Sequence, residues 1–214
     1  MVATPANTPD RAAVDQLLAP SASDDDKPDV LGDSAYADGD TRQRLGDAGY
    51  TVVSKVPPTR NRGGRFSKDR FVVDVGGATV SCPADQTVPI AASRRGGGRA
   101  NFGPLCATCP LRSDCTSSPR GRSVTIHRHE ALLQAARADQ ATPEWIEAYR
   151  SDRPIVERKI AHFVRRAWGG RKARCRGLGR VSTDVDTRAG VLNLARLAVL
   201  GVGWSDSGWT LAGT

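Results

Sequence analysis

Aromatic side chains are scarce in this sequence. Phe, Trp and Tyr together make up 5% of the 214 residues. Long apolar runs are absent too: no stretch approaches the roughly 18 residues that a membrane-spanning helix needs. The N-terminal run "MVATPANTPDRAAVDQLL" lacks the basic-then-apolar pattern of a secretory leader. These absences point to a cytoplasmic protein without a membrane partner, where structural disulfides are disfavoured. Five cysteines therefore raise the question of metal binding against plain burial. No internal repeat is visible. Acid is missing from one region above all: between Asp152 and Asp184 there are ten Lys or Arg residues and a single carboxylate, Glu157.

What is present is enough for a folded domain of ordinary size. Apolar residues make up 39% of the chain. The formal charge is +8 and the isoelectric point about 9.7, an excess that favours a polyanionic partner such as nucleic acid. A basic surface with no partner is the alternative. Residues 8–19 predict a short helix, with Thr8 as N-cap and Pro9 at its first position. Residues 29–33, "DVLGD", read as a brief buried strand ending in an acid. Residues 38–50 read as a helix with a glycine stop, and 50–57 as a second strand closed by Pro57-Pro58. Strand–helix–strand order implies an α/β unit with parallel strands. Residues 70–75 and 78–82, joined around Gly76-Gly77, predict a β-hairpin. The stretch "SRRGGGRANFG" (93–103) reads as flexible and basic, 123–127 as a strand. Helices are predicted over 130–138, 142–150, 153–168 and 186–200, followed by a loose tail.

In the helix around Glu157, Ser151 or Asp152 is the expected cap and Pro154 fits the first turn. Val156, Ile160, Phe163, Val164 and Ala167 recur at helical spacing as an apolar stripe, with Arg158, His162, Arg165 and Arg166 opposite. Glu157 sits on the border. It is either an ordinary ion-pair partner or a ligand for a hard divalent cation beside bound phosphate. Asp33, at the end of its strand, is the second candidate ligand; the competing role is a loop-capping Asp. Cys82, Cys106, Cys109 and Cys115 have the spacing C-x23-C-x2-C-x5-C. Four thiolates so spaced could hold a structural Zn2+, with free buried thiols or a redox C-x2-C as alternatives, and His127 or His129 as a substitute ligand. Cys175 stands apart. Basic clusters lie at Arg60/Arg62/Arg65, at Arg94/Arg95/Arg99, and at Arg165, Arg166, Arg171, Lys172, Arg174, Arg176 and Arg180; such charge binds phosphate backbone in a salt-sensitive way.

Six segments in order, "TPANTPDRAAVDQLL", "VLGDSAYADGD", "CATCPLRSDCT", "RPIVERKIAHFVRR", "RKARCRGLGR" and "VLNLARLAVLG", resemble the C-terminal part of DDE transposases of bacterial insertion sequences. The resemblance covers about residues 3–202. It implies an RNase H-like catalytic domain whose acidic triad holds two Mg2+ (or Mn2+) ions for phosphodiester cleavage and strand transfer. Asp33 would match the second acid and Glu157 the third, making both catalytic and metal-binding, with Arg158, Arg165, Arg166, Arg171, Lys172, Arg174 and Arg176 on DNA. The family's first Asp lies upstream of the "TPAN" segment and has no counterpart here; Asp10 and Asp15 are on the wrong element to replace it.

The expectation is therefore a partial RNase H-like α/β fold with a cysteine-containing β/loop insertion and C-terminal helices. Its expected divisions are 1–56 (partial core), 57–128 (insertion), 129–202 (C-terminal helices) and 203–214 (tail). It would act on insertion-sequence DNA in the nucleoid, with an upstream transposase chain or a second copy as partners, and be poorly soluble and inactive alone. The alternative is a zinc-stabilised basic DNA-binding module without catalysis.

Overall fold

The computed structural model describes residues 3–5, 7–19, 27–59, 62–165, 170, 172–206 and 208–211. The chain forms two compact units, one of Met1–Asp25 with Glu147–Thr214 and one of Asp26–Ile146. At the start of the chain, a 3-10 turn (Asp10–Ala13) runs into the short helix α1 (Val14–Leu18), as the sequence predicts. Pro9 rather than Thr8 occupies the cap position, and no side chain caps the turn.

The continuous unit opens with β1 (Val30–Leu31), α2 (Gly39–Asp47) and β2 (Val52–Val53). The strands pair in parallel, Val30 opposite Val52 and Leu31 opposite Val53, so the helix is the crossover of a βαβ unit. Asp38 starts α2: its carboxylate accepts from Asp40 N (3.1 Å), Thr41 N (3.0 Å) and the Thr41 hydroxyl (2.7 Å). Gly49, at φ 85°, ends it. Arg42 ties the unit together. Its guanidinium donates to the carbonyls of Ala37 and Val52 (both 3.2 Å) and Ser54. Burial lowers its pKa, with Asp139 and Asp38 opposing.

A five-stranded antiparallel meander follows: β3 (Val72–Asp74), β4 (Thr79–Ser81), β5 (Thr87–Ala92), β6 (Gly98–Asn101) and β7 (Ser123–Ile126). The β3–β4 hairpin around Gly76-Gly77 is the predicted one. The β5–β6 hairpin was not legible, because its glycine run reads as flexibility. The glycines have a steric role instead. Gly96 and Gly97 take φ 80° and 68° in the turn. A Cβ on Gly98 would lie 2.5 Å from Ile90 Cγ2 and 2.6 Å from the Ala91 carbonyl, so β6 approaches β5 too closely for any side chain there. Burial alternates along β6 and β7, leaving one face to the core. That core is Phe71, Val80, Val88, Ala100, Phe102, Val124 and Ile126, with Cys106 and Cys115 at its edge. Helix α3 (Arg112–Cys115) lies between β6 and β7 in the chain, and α4 (Glu130–Asp139) follows β7. The Gln140 side chain clamps Val56 through its N (2.9 Å) and O (3.2 Å).

Helix α5 (Pro143–Phe163), which belongs to the discontinuous unit from Glu147 onward, runs through Ser151, Asp152 and Pro154 without a break. The two helices and the cap expected there are one helix. Pro154 removes a single N–H from the ladder. The predicted apolar stripe is not a buried one: no residue of α5 is buried, and Ile160 is 58% exposed. Helix α6 (Leu178–Val199) starts eight residues before its predicted position, and Asp184 joins it to the preceding loop by accepting from Arg174 and Arg188. Hydrogen bonds from Arg174, then Arg188, hold the Asp184 carboxyl below its ordinary pKa. The segment read as a loose tail carries a hairpin, β8 (Val202–Ser205) and β9 (Gly208–Leu211), closed by an edge-to-face pair of Trp204 and Trp209 at 5.2 Å. No helix among the described residues is long and apolar enough to cross a membrane.

Candidate acidic site and cysteine pocket

Asp33 stands just beyond the C-terminal end of β1. Its backbone is extended, and its Oδ1 accepts from Ala35 N at 2.8 Å, which caps a 3-10 turn over Ser34–Tyr36. The loop is anchored from behind. The Ser54 hydroxyl, on a 98% buried residue beyond β2, donates to the Asp33 carbonyl at 2.5 Å, and Arg42 holds the Ser54 carbonyl in turn. The Asp33 carboxylate itself is exposed, with no ion pair among the described residues. Capping and ligand duty are compatible, since one backbone N–H occupies only part of a carboxylate's acceptor capacity.

Glu157 belongs to the other unit. It is 60% exposed, and its Oε1 accepts from Arg153 Nε one turn earlier at 2.8 Å. Arg158 donates to the Pro154 carbonyl. Of the other basic residues singled out from the sequence, Arg165, Lys172 and Arg176 are exposed. Arg174 is engaged with Asp184. Arg166 and Arg171 lie outside the described residues. Among the described residues, no three His, Cys, Asp or Glu side chains are gathered as a ready-made metal site.

Sequence reasoning missed a polar corner between α2 and β7. Asp40 accepts from Arg128 Nε at 2.7 Å and lies 3.1 Å from His129 Nε2. His129 N donates to His127 Nδ1. Gly39 admits the two rings, because a Cβ there would sit 2.8 Å from His129 Cβ and 2.9 Å from His127. This occupies both histidines away from the cysteines. The Arg128 hydrogen bond, against a smaller opposing effect of burial, holds the Asp40 carboxyl below its ordinary pKa. A carboxyl with a depressed folded pKa stabilises the fold above its unfolded value near 4, and that contribution fades as pH falls through the folded value. Asp40→Asn should therefore lower stability at pH 7 by less than about 1 kcal/mol, the ceiling for exposed pairs. At about pH 3 or below the difference should shrink towards zero; urea melts at the two pH values check this.

The four cysteines Cys82, Cys106, Cys109 and Cys115 line one pocket under the meander, walled by Phe71 and Phe102. All four are free thiols. Cys82 closes the β4–β5 turn, its N–H bonded to the Gln86 carbonyl (2.9 Å) and its carbonyl taken by Asp85 N (2.9 Å). Cys106 ends a 3-10 turn (Gly103–Cys106), and Cys115 ends α3. Burial pushes the Cys115 thiol up, against Arg122, which pulls it down. A thiol raised by burial is a poor nucleophile, so Cys115 itself is not a reactive one. Cys175 lies in the other unit.

The family model described as "Transposase DDE domain" matches residues 81–198. That is 118 of 214 residues, more than half the chain. The match takes in the cysteine pocket, Glu157 and the basic stretch; Asp33 precedes it. No curated protein and no solved structure matches the sequence significantly. With most of its meander and both long helices inside the match, the chain belongs to the transposase DDE domain family.

Proposed function

We propose that this chain contributes two of the acids of a DDE-type DNA transposase site, Asp33 and Glu157, within an RNase H-like arrangement. The observation that carries the reading is the family match across Glu157 and its basic surroundings. Both residues are exposed carboxylates, hard oxygen donors of the type Mg2+ or Mn2+ takes. Asp33 accepts from Ala35 N through Oδ1 and Glu157 from Arg153 through Oε1, which leaves the second oxygen of each carboxylate as a donor to a cation. A bound divalent ion would supply charge neutralisation at the phosphoryl oxygens and lower the pKa of the attacking water. The chain's own contribution is positioning and charge. Ser54 and Arg42 fix the Asp33 loop from the β2 side. Arg158, Arg165, Lys172 and Arg176 offer exposed cations to the DNA backbone.

The second reading is a basic DNA-binding module without catalysis. The Arg153–Glu157 pair favours it, since it gives Glu157 an ordinary structural occupation. Cleavage and strand transfer on DNA carrying the element's own ends, with Mg2+ or with chelator and with an upstream transposase segment supplying the first acid, separates the two. On the catalytic reading, Asp33→Asn lowers Mg2+-dependent cleavage at least about 100-fold, equivalent to the several kcal/mol of charge stabilisation that metal catalysis provides. DNA retention stays unchanged, because no phosphate-binding cation is touched. Equal cleavage by the variant overturns the assignment of Asp33. Salt-sensitive binding with no cleavage, even when an upstream transposase segment carrying the first acid is supplied, selects the module.

A further inference from the structure

We propose that Cys82, Cys106, Cys109 and Cys115 form a structural Zn2+ site that locks the β4–β5 turn, the 3-10 turn of Gly103–Cys106 and α3 onto the meander. This goes beyond the acidic site and does not depend on it. Three separate backbone segments deliver four thiols to one small apolar pocket, and none of the four is spent in a disulfide. Thiolate is the soft ligand that selects zinc, and four of them close a tetrahedron with no open position, which suits a structural rather than a catalytic ion.

The surroundings fit a metal–thiolate cluster. Arg122 N donates to Cys106 Sγ at 3.4 Å, the backbone-to-sulfur bond that steadies a thiolate ligand. A Zn2+ with four thiolates carries a net charge of −2, which an apolar pocket cannot hold uncompensated. Two arginines line the same pocket. Arg122 donates to the carbonyls of Cys115 (3.3 Å) and Phe66 (3.1 Å), and its Nε is buried with no hydrogen-bond partner. Arg112 donates to the Cys106 carbonyl at 3.4 Å. Two cations against a −2 cluster balance. Among the described residues Arg122 otherwise lies over the Phe71 ring at 5.2 Å, and Arg112 otherwise donates to the carbonyls of Ser118 (3.4 Å) and Pro119 (3.5 Å).

Apolar packing within the segment is thin. Between Phe102 and Val124 the buried apolar residues are the two cysteines Cys106 and Cys115, and Leu105 is 44% exposed. Phe66 N donates to the Asp114 carbonyl at 2.8 Å, a backbone tie to α3. The thiols gather at the pocket without the ready-made spacing of a filled site. The ion would draw the sulfurs to about 2.3 Å from itself.

The test uses the full chain purified without chelator, with zinc measured per chain. About one Zn2+ per chain is expected, released stoichiometrically when a mercurial blocks the thiols. Cobalt exchanged into the site should give the intense thiolate-to-metal absorption and tetrahedral bands of four-sulfur coordination. Cys109→Ser should weaken zinc binding at least about tenfold, and Cys175→Ser should leave it unchanged. If Cys109→Ser does not fold, the cobalt spectrum of the unaltered chain decides alone. Zinc below a tenth of an ion per chain after refolding with excess zinc, a cobalt spectrum without sulfur ligation, or disulfides among these four cysteines in the native protein would each overturn the proposal.

Discussion

Glu157→Gln is expected to lower Mg2+-dependent DNA cleavage by about 100- to 1000-fold while leaving the folded chain almost as stable as before. The first number follows from removing a charged oxygen donor to a catalytic cation, a loss of several kcal/mol at about 1.4 kcal/mol per decade. The second follows from the contact the residue makes. Its bond with Arg153 is an exposed i,i+4 pair, worth about 0.3–0.5 kcal/mol. Glutamine can still accept from the Arg153 guanidinium. Arg153→Met is the matching control, since it removes the same pair and leaves the carboxylate. If Glu157 serves only that pair, both variants melt a little earlier and cut alike. If it is a metal ligand, only Glu157→Gln loses cleavage. DNA binding should stay level or tighten slightly, because the change deletes a negative charge from a basic stretch. Equal cleavage by all three chains would return Glu157 to the role of ion-pair partner.

Much of the fold was legible where local chemistry is strong. Asp38 at the start of α2 and Gly49 at its end mark a helix between two short apolar runs, and parallel pairing of β1 with β2 follows from that order. Gly76-Gly77 marks the β3–β4 turn. The sequence misled where one residue type can do two things. Gly96–Gly98 reads as looseness, yet those glycines permit a tight turn and a close strand approach. Pro154 reads as a helix start, yet one missing N–H is tolerated inside α5. Trp204 and Trp209 lie in a tail rich in Gly and Ser, and their cross-strand contact, which the sequence does not announce, sits within the β8–β9 ladder. In the candidate site, carboxylates and thiols could be named from the sequence because their chemistry is local. Their supports could not. Ser54 reaches Asp33 across 21 residues of chain, Arg42 reaches Ser54 across 12, and Arg122 joins Cys106 to Phe66 across 16 and 56; no periodicity records such contacts. Glu130 is a similar case: it looks like an ordinary acidic first-turn residue, yet it is 97% buried and paired with Lys68.

Phe102→Ala should be the most damaging single change to the meander. Phe102 is 98% buried, and its ring lies 5.7 Å from that of Phe71. It also forms part of the wall of the cysteine pocket. Phenylalanine-to-alanine changes in such positions cost about 3–5 kcal/mol, combining lost transfer energy with the cavity left behind. Against total stabilities of about 5–15 kcal/mol, that is enough to populate the unfolded sheet. All four tryptophans lie outside the meander. Far-UV circular dichroism and amide exchange in β6 and β7, rather than fluorescence, should therefore report the loss. A change under about 1 kcal/mol would mean that this face is not the core. The zinc proposal adds a second reading to the same experiment. Phe102 and the thiols brace the same wall, so removing both supports should not simply add; neighbouring sites couple by about 0.5–3 kcal/mol. Chelator should lower the melting temperature of Phe102→Ala and of the unaltered chain by clearly different amounts. Equal shifts would make the aromatic wall and the cysteine pocket independent supports of the sheet.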